Sequence, residues 1–392
     1  MENSSVQKNK TNKNLQIESK IVHIGVRTDA RTGAISTPIY QTASFQHPAL
    51  GETTGYDYSR SQNPTRQVLE EGIAALESGS AGFAFATGMA AITAVLMIYK
   101  AGDHLIVLED CYGGTYRVLS RVFSQFGIET TFLVSGEFED IEKHIKGNTQ
   151  AVLIETPTNP LMNIIDIERL AQITQAKKLQ LIVDNTFLTP YFQRPLEWGA
   201  DIIVHSGTKY LAGHNDLLCG LVVVKDEALA ARVRFVQNST GGVLSPLDSW
   251  LLIRGLKTLA LRMERHNANA QRVAEWLLLQ PAVEKVYYPG LEGHPGKAIQ
   301  EKQASGYGGM ISFLVKDAAL VSKVLRSVKL IQFAESLGGV ETLITFPSKQ
   351  THADIPADVR ARLGISDRLL RLSVGVEAAE DIISDLAQAL KE

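Results

Sequence analysis

The sequence has few cysteines, no long apolar run and little net charge, and each of these shortages excludes a class of protein. Its 392 residues include two cysteines, Cys111 and Cys219, which cannot build a disulfide framework and do not lie in a metal-ligand pattern. No apolar run approaches the roughly 18 residues that a membrane span needs. The net charge of −3 gives no basic footprint for nucleic acid or for an anionic membrane. We therefore expect no metal site, no membrane and no nucleic-acid partner.

The N-terminal segment MENSSVQKNKTNKNL lacks the apolar stretch of a secretory signal. Because it is polar and rich in lysine and asparagine, we interpret residues 1–15 as a disordered tail on a cytoplasmic protein. The rest has ordinary globular composition, with 45% apolar and 21% charged residues. A chain of this length predicts more than one domain.

Short apolar runs alternate with helical patterns from about residue 72 onward, which indicates βαβ units and a mostly parallel sheet. The runs are HLIVL (104–108), TFLV (131–134), AVLIE (151–155), QLIVDN (180–185), DIIVHS (201–206) and GLVVV (220–224). We predict an α/β fold with an irregular arm at 16–71, a large domain at 72–267 and a smaller α+β domain at 268–392.

Three helix predictions accompany these strands. FEDIEKHI marks a helix before AVLIE, and DIERLAQITQAKK marks one before QLIVDN, with Asp166 as its N-cap. A long helical pattern starts at Ser245 and runs through SPLDSWLLIRGLKTLALRMERHNANAQRVAEWLLLQ. The Pro- and Gly-rich stretch YYPGLEGHPG (287–296) then predicts a loop.

Polar residues follow two of the predicted strands, at the sheet edge where open parallel sheets bind ligands. Asp184 closes one strand, while Ser206, Thr208 and Lys209 follow the next. Burial lowers the pKa of a lysine and leaves part of it as the free amine, a nucleophile that forms Schiff bases with carbonyls. Pyridoxal phosphate fits this set, because its aldehyde suits the lysine, its ring nitrogen suits Asp184 and its phosphate suits the hydroxyls.

Two upstream motifs complete this hypothesis. FATGMAAITAVL places Gly88 and Met89 at a helix start, where free N–H groups favour an anion. DCYGGTYR offers Tyr112, whose ring can stack on a pyridine. Taken singly, Lys209 reads as a surface lysine, Asp184 as a capping residue and Tyr112 as core; their joint placement at strand ends favours a cofactor site. Neither a GxGxxG nor a P-loop motif supports a nucleotide site.

These motifs, together with YSRSQNPTR, ETPTNP, AESLGGVETLI and LLRLSVGVE, resemble those of the Cys/Met-metabolism pyridoxal-phosphate enzymes. The resemblance covers about residues 20–390. It implies the aspartate-aminotransferase-like fold (fold type I), with a large cofactor domain, a smaller C-terminal domain and an N-terminal arm that contacts a neighbouring subunit. It also implies a homotetramer built from dimers that share active sites.

The resemblance assigns roles to cofactor-binding residues. By it, Lys209 is the Schiff-base lysine and moves protons between substrate carbons, Asp184 pairs with the ring nitrogen, and Tyr112 stacks on the ring and takes part in proton transfer. The phosphate-binding residues it implies are Gly88, Met89, Ser206 and Thr208 from one chain, and Tyr58 and Arg60 from a neighbour.

The implied substrates are small amino acids. By resemblance, Arg371 grips the α-carboxylate, with Asn159 and Ser336 beside it. Arg117 is implied near the distal end of the substrate, and Glu335 is placed to attract a distal ammonium. The family gives no acid–base role to three conspicuous histidines, which we treat as structural: His205, His214 and His266.

The reaction that the resemblance implies is chemistry at Cγ of an amino acid, where a thiol replaces the leaving group or a 2-oxo acid and ammonia are released. GHNDLL, GETTGYDY and ESLGGVETLITFPSKQTHADIP are closer to bacterial enzymes that make cystathionine from an O-acylhomoserine and cysteine, some using sulfide instead. GGVLSPLDSWLLIRGLKTLALRMERH and VYYPGLEGHPG are equally typical of enzymes that cleave cystathionine at Cγ. We expect replacement, with γ-elimination as the alternative.

Other readings are less favoured by the residues. Methionine-cleaving members carry a cysteine close after the stacking tyrosine, where this chain has Gly113 and Gly114. Members that cleave cystathionine at Cβ usually have an aromatic turn where this chain has AESLGG. A non-catalytic relative would have lost Lys209 or Asp184, and a nicotinamide-dependent enzyme rests on fold analogy alone.

Overall fold

The computed structural model describes residues 15–353 and 355–391, so the predicted tail lies outside the described residues except for Leu15. These residues form a seven-stranded sheet and a five-stranded sheet, both packed against helices. No helix in this part of the chain is long and apolar enough to cross a membrane.

The larger sheet has the strand order β1-β7-β6-β5-β4-β2-β3. Its strands are Ala81–Phe85 (β1), His104–Leu108 (β2), Glu129–Leu133 (β3), Thr149–Glu155 (β4), Gln180–Asp184 (β5), Ile202–Ser206 (β6) and Gly220–Val224 (β7). Strands β2 to β6 pair in parallel, and β7 is antiparallel to both β6 and β1. The predicted strands are therefore present, and β1 is one that the apolar pattern missed.

Helices cover both faces of the larger sheet, which explains why its inner strands are largely apolar and buried. Those in the first two-thirds of the chain are Ile17–Val22 (α1), Pro64–Leu76 (α2), Gly88–Leu96 (α3), Gly113–Arg121 (α4), Ile167–Ala176 (α5), Thr189–Phe192 (α6), Glu227–Thr240 (α7) and Pro246–Leu256 (α8). Asp166 caps α5 as predicted, its carboxylate accepting a hydrogen bond from Arg169 N at 3.0 Å.

The smaller sheet has the order β10-β11-β12-β9-β8 and is antiparallel except for the β10–β11 pair. Its strands are Val283–Tyr287 (β8), Met310–Val315 (β9), Gln332–Phe333 (β10), Leu343–Thr345 (β11) and Leu369–Ser373 (β12). The helices of this region are Leu259–Leu278 (α9), Lys297–Gln303 (α10), Ala318–Ser327 (α11), Ala357–Leu363 (α12) and Ala379–Leu390 (α13). The boundary placed at 267/268 falls inside α9, and the division into domains stays a prediction.

Three predictions of local structure were wrong. The FEDIEKHI helix is a 3-10 segment, Ser135–His144, with a kink at Asp140. The long pattern after Ser245 is two helices, α8 and α9, because the chain breaks at Lys257 and Thr258. The arm is not wholly irregular, since it contains α1 and the start of α2; Asn63 followed by Pro64 was the overlooked start signal.

Candidate active site

A cavity of about 220 Å³ lies beyond the carboxyl ends of β4, β5 and β6, the edge that the sequence pattern indicates. Residues from both sheets line it. Those predicted from sequence are Gly88, Met89, Tyr112, Asn159, Asp184, Ser206, Thr208, Lys209, Glu335, Ser336 and Arg371. The wall also contains residues that sequence reasoning missed: Thr87, Ile92, Glu155, Thr186, Phe187, Leu218, Leu337 and Thr351.

Lys209 enters the cavity from the turn that follows β6. Its Nζ donates to Ser336 Oγ at 2.7 Å, so its partner is a neutral hydroxyl. Burial first, and then the charge of the nearby Arg371, lower the pKa of Lys209, Glu335 opposes them, and the net value is about 8. A substantial fraction of free amine is therefore available near neutral pH, as a nucleophilic lysine requires.

Asp184 ends β5 and is held by the turn that follows it. Its Oδ1 accepts from Thr186 N at 3.0 Å and from Thr186 Oγ1 at 2.5 Å. Burial raises the pKa of Asp184, and the Thr186 bonds oppose that rise. A buried carboxylate of this kind is stabilised by a cationic partner in the cavity, which a protonated ring nitrogen would supply.

Glu155 lies beside Asp184, because the two residues are in register on β4 and β5. It is only 6% exposed, and its Oε2 accepts from Tyr112 N at 3.0 Å. Burial and then the charge of Asp184 raise the pKa of Glu155 well above its ordinary value. The signal that sequence reasoning passed over is its place as the last residue of the apolar run AVLIE, equivalent to Asp184 one strand away.

Tyr112 precedes α4 and stands at the mouth of the cavity, with 40% of its surface exposed. Close packing of its ring requires glycine at position 114, where an added Cβ would lie 2.5 Å from Tyr112 Cε1. The ring therefore has a defined position but an uncovered surface, which suits stacking on a planar ligand.

The start of α3 and the end of β6 form a narrow cradle. A Cβ at Gly88 would lie 3.1 Å from both Cβ and Oγ of Ser206, so a side chain there would push Ser206 out of its place. Thr87 caps the helix through Ala90 N at 3.0 Å, and the helix start directs its positive end toward the cavity. Thr208 Oγ1 accepts from Cys219 N at 2.9 Å, which fixes the hydroxyl. This donor set fits a phosphate.

Arg371 reaches the cavity from β12 of the smaller sheet and is 1% exposed. Its Nη1 donates to Asn159 Oδ1 at 2.8 Å and its Nη2 to Ser336 O at 3.1 Å, while its Nε has no partner among the described residues. Burial lowers the pKa of Arg371 to about 10. His352, which was not predicted, supports this arrangement through a 2.9 Å contact between its Nε2 and Asn159 O. A cation with a spare donor suits a carboxylate ligand.

Three of the predicted residues lie outside this cavity. Arg60 donates through Nη1 to Asn238 O and, at 2.9 Å, to Asn238 Oδ1, and its guanidinium lies 5.5 Å from the ring centre of Tyr58. Tyr58 and Arg60 are both exposed. Arg117 is exposed on α4.

The three conspicuous histidines also lie away from the cavity wall. His205 is fully buried, and its Nε2 meets Glu77 Oε1 at 2.6 Å. His266 contacts Val374 O at 2.7 Å, and His214 contacts Ala212 O at 2.7 Å. Each has a partner that accounts for it within the fold.

Comparison with known proteins places this geometry in context. The family model described as "Cys/Met metabolism PLP-dependent enzyme" matches residues 18–391. The cystathionine gamma-lyase of Bacillus subtilis is 52% identical over 371 residues, covering 95% of this chain and 98% of that protein. A cystathionine beta-lyase of Lactococcus lactis subsp. cremoris is 50% identical over 376 residues, covering 96% and 99%. The crystal structure of a cystathionine gamma synthase from Xanthomonas oryzae pv. oryzae in complex with cystathionine is 39% identical, covers 96% of this chain and 98% of that chain, and superposes with a TM-score of 0.94.

Proposed function

This chain belongs to the family of Cys/Met metabolism PLP-dependent enzymes, and we propose that it acts at Cγ, joining an O-acylhomoserine to cysteine to form cystathionine. The family, the α/β fold of type I, the PLP dependence and the trans-sulfuration chemistry predicted from sequence are confirmed by the matches to these enzymes. The substrates are small amino acids. The remaining question concerns the reaction at this particular site.

Pyridoxal phosphate, when bound, supplies an aldehyde for a lysine amine and a ring that accepts electron density from the substrate Cα. In our proposal Lys209 Nζ takes a proton from Cα and then one from Cβ, so that the acyl group can leave Cγ as a carboxylate, and it returns protons to Cβ and Cα once the cysteine sulfur has bonded to Cγ. A pKa of about 8 favours this exchange of protons. Asp184 holds the ring nitrogen in its protonated form, and Tyr112 orients the ring.

The phosphate would lie in the cradle where α3 begins. Gly88 and Met89 would offer backbone N–H groups of the first helical turn, and the hydroxyls of Ser206 and Thr208 would add side-chain donors. The narrow approach between Gly88 and Ser206 supports this placement, since both face the same cavity.

Arg371 would bind the substrate α-carboxylate through its unpaired Nε and one of its terminal nitrogens. The guanidinium of Arg371 is held by two acceptors, the Asn159 side-chain oxygen and the Ser336 carbonyl. The substrate amine then faces Lys209, because Ser336 contacts both Lys209 and Arg371. This arrangement orients Cα between the lysine and the ring.

The observation that carries the choice of substrates is an acidic outer cavity of about 870 Å³, which shares Thr208, Leu218, Glu335 and Ser336 with the inner one. Three further carboxylates line it: Asp216, Asp248 and Glu341. Among the described residues no basic side chain lines this outer cavity. Such a wall attracts the ammonium group that cysteine and the distal half of cystathionine carry beside their carboxylate, and it disfavours a distal carboxylate that has no ammonium beside it. We infer that the acyl group is neutral, as in O-acetylhomoserine.

A second candidate, elimination of cysteine from cystathionine at Cγ, is favoured by the 52% identity to a cystathionine gamma-lyase. The same acidic cavity would hold the distal ammonium of cystathionine as substrate. Because the chain is also 50% identical to a cystathionine beta-lyase, the assay must distinguish cleavage at Cβ as well, although the AESLGG turn does not favour that reaction.

We further propose that Tyr58 and Arg60 bind the phosphate in a neighbouring subunit of a homotetramer. Arg60 is exposed and does not line the cavity of its own chain, which supports a role toward a neighbouring chain. Arg117 stays a predicted contact for the distal end of the substrate.

A paired product assay tests the proposed reaction. One sample contains O-acetylhomoserine and cysteine, and the other contains cystathionine alone. Fast cystathionine formation in the first, with little 2-oxobutyrate in the second, is the expected result. Fast release of cysteine, 2-oxobutyrate and ammonia in the second would establish γ-elimination instead, and homocysteine with pyruvate would establish cleavage at Cβ. Lys209→Ala is the control, and near-normal turnover by that variant would refute the proposed role of Lys209.

A further inference from the structure

Arg262, on the first turn of α9, is a buried arginine that the proposed mechanism does not use. It is 5% exposed, and its acceptors are all neutral oxygens. Nη1 donates to Tyr210 O at 2.5 Å, and Nη2 donates to Leu211 O at 3.3 Å and to Gly255 O at 2.9 Å. Nε donates to Thr258 Oγ1 at 3.1 Å.

This burial is unfavourable for the arginine itself. Loss of water lowers the pKa of Arg262 to about 10, and neutral oxygens compensate a buried charge less well than a carboxylate. All three guanidinium nitrogens already donate to the protein, so the side chain is poorly placed to bind a ligand. The contribution of Arg262 therefore lies in the segments that its hydrogen bonds connect.

Two of the four bonds end on the residues directly after Lys209, namely Tyr210 and Leu211. This segment is a turn outside the regular helices and strands, so its carbonyls depend on partners from elsewhere. The turn is closed by Gly213 N, which donates to Lys209 O at 2.8 Å, and by Ala212 N, which donates to Gly207 O at 3.0 Å. Arg262 thus ties the turn that carries the lysine to the ends of α8 and α9.

The packing around this turn leaves the guanidinium no room to shift. A Cβ on Gly213 would lie 2.1 Å from Arg262 Nη1, and one on Gly255 would lie 2.4 Å from Ala212 O. On the other side, a Cβ on Gly338 would lie 2.6 Å from Tyr210 N. Three glycines from three segments therefore converge on one turn, and Arg262 occupies the space that Gly213 leaves.

We propose that Arg262 is a positioning residue that fixes the turn carrying Lys209, so that its Nζ stays aimed at the reacting carbon. This inference rests on the proposed role of Lys209. It predicts that the planar fork of donors matters more than the charge, since the acceptors are three carbonyls and one hydroxyl, all neutral, that together engage all three guanidinium nitrogens.

Arg262→Lys tests this, because it keeps the charge and removes the fork. We expect kcat to fall by roughly 10- to 100-fold, KM to change by less than about threefold, and bound cofactor per chain to stay the same. Borohydride reduction followed by intact-chain mass measurement should show a smaller fraction of cofactor joined to Lys209. Arg368→Lys, which alters a guanidinium that donates to Val315 O and Lys316 O outside the cavity wall, should leave that fraction at the wild-type value.

A second variant keeps the inference testable where Arg262→Lys does not fold. Thr258→Ala removes the acceptor of Nε, together with the bond from Thr258 Oγ1 to Gly255 O, at an exposed position. It should lower kcat a few-fold while speeding hydrogen exchange at the amides of Ala212 and Gly213. The inference would be overturned if Thr258→Ala kept both the wild-type kcat and the wild-type rate of amide hydrogen exchange. It would also be overturned if Arg262→Lys kept both the wild-type kcat and the wild-type fraction of cofactor joined to Lys209. Failure of the wild-type protein to link cofactor at Lys209 would instead refute the proposed function.

Discussion

Lys209 and Arg371 share one cavity, and burial destabilises the charged form of both side chains. The partner of Lys209 is a hydroxyl, and those of Arg371 are an amide oxygen and a carbonyl, so neither cation is neutralised by a direct carboxylate bond. The two side chains differ in protonation state. The lowered pKa of the lysine comes close to neutral pH, so part of it is the free amine, while the arginine stays charged. One side chain thus becomes a base, and the other keeps its charge for binding.

The pKa of Lys209 predicts how fast the cofactor-free protein captures pyridoxal phosphate. Capture requires the free amine, so its rate should rise with pH through a midpoint near 8, well below the ~10.4 of an exposed lysine. Glu335→Gln removes a charge that raises this pKa, so the midpoint should move lower. Stopped-flow absorbance at a series of pH values measures both; a midpoint above 10, or an upward shift in Glu335→Gln, would contradict the assignment.

Asp110 predicts a stability effect at the residue scale. It is buried, and its Oδ2 accepts from Thr158 Oγ1 at 2.5 Å and from Asn163 Nδ2 at 2.7 Å. Burial raises its pKa to about 6, so between about pH 4 and 6 the folded protein holds a proton that the unfolded chain has released. The stabilisation is complete below pH 4 and is lost as pH rises to 6, by up to about 3 kcal/mol.

Asp110→Asn removes this titration. Denaturant unfolding of both proteins at intervals from pH 4 to 7 gives the difference in their free energies of unfolding. That difference should change across this window and level off above it. Parallel pH profiles for the two proteins would show that Asp110 does not titrate there.

Helix α2 illustrates how one residue at an element boundary serves two segments. Asn63 Oδ1 accepts from Thr65 N at 3.0 Å and caps the helix, while its Nδ2 donates to Tyr40 O at 2.9 Å and to Ser59 Oγ at 3.0 Å. The cap therefore also holds the segment that carries Tyr58 and Arg60. Local sequence signals predict the cap but not the two contacts with the arm.

A pair of substitutions separates the two contributions of Asn63. Asn63→Asp keeps the capping oxygen and loses the donor, whereas Asn63→Ala loses both. We expect Asn63→Ala to cost about 1 kcal/mol more than Asn63→Asp in thermal unfolding, since that is the usual worth of a cap. Both should release cofactor faster, because both loosen the arm; cofactor retention at the wild-type level in both would argue against that link.

The error over the long helical pattern after Ser245 has a tertiary cause. No glycine or proline occupies the break between α8 and α9, where Lys257 Nζ instead donates to Val22 O and to Ile24 O, both at 2.8 Å. Contacts with a segment more than 200 residues away thus accompany the end of the helical pattern. The strands, in contrast, were predictable because their apolar runs depend only on local sequence.

At the scale of the whole molecule, the arm bears on assembly. Ile35 is 72% exposed and Tyr58 45% exposed, an unusual amount of apolar surface for one irregular segment. Arg60 lies on the same segment and outside the cavity of its own chain. These features support the proposed homotetramer with shared sites.

Mixing two inactive variants tests this assembly. Lys209→Ala supplies an intact Arg60, and Arg60→Ala supplies an intact Lys209. Random pairing makes about half of the dimers mixed, each with one complete site, so about a quarter of wild-type activity should return. The double variant Lys209→Ala/Arg60→Ala mixed with Arg60→Ala is the control and should recover nothing. The absence of any recovery in the first mixture, with subunit exchange verified by mass measurement, would refute shared sites.

The sequence by itself determined the strands, the edge of the sheet that carries the site, and the residues Asp184 and Lys209, because apolar runs and the polar residues that end them are local features. Only the tertiary structure brought His352 to Asn159, Glu155 to Tyr112 and Arg262 to the Lys209 turn. Those contacts join residues 193, 43 and 52 positions apart. They depend on strand order and on how helices and the second sheet pack, which no local pattern encodes.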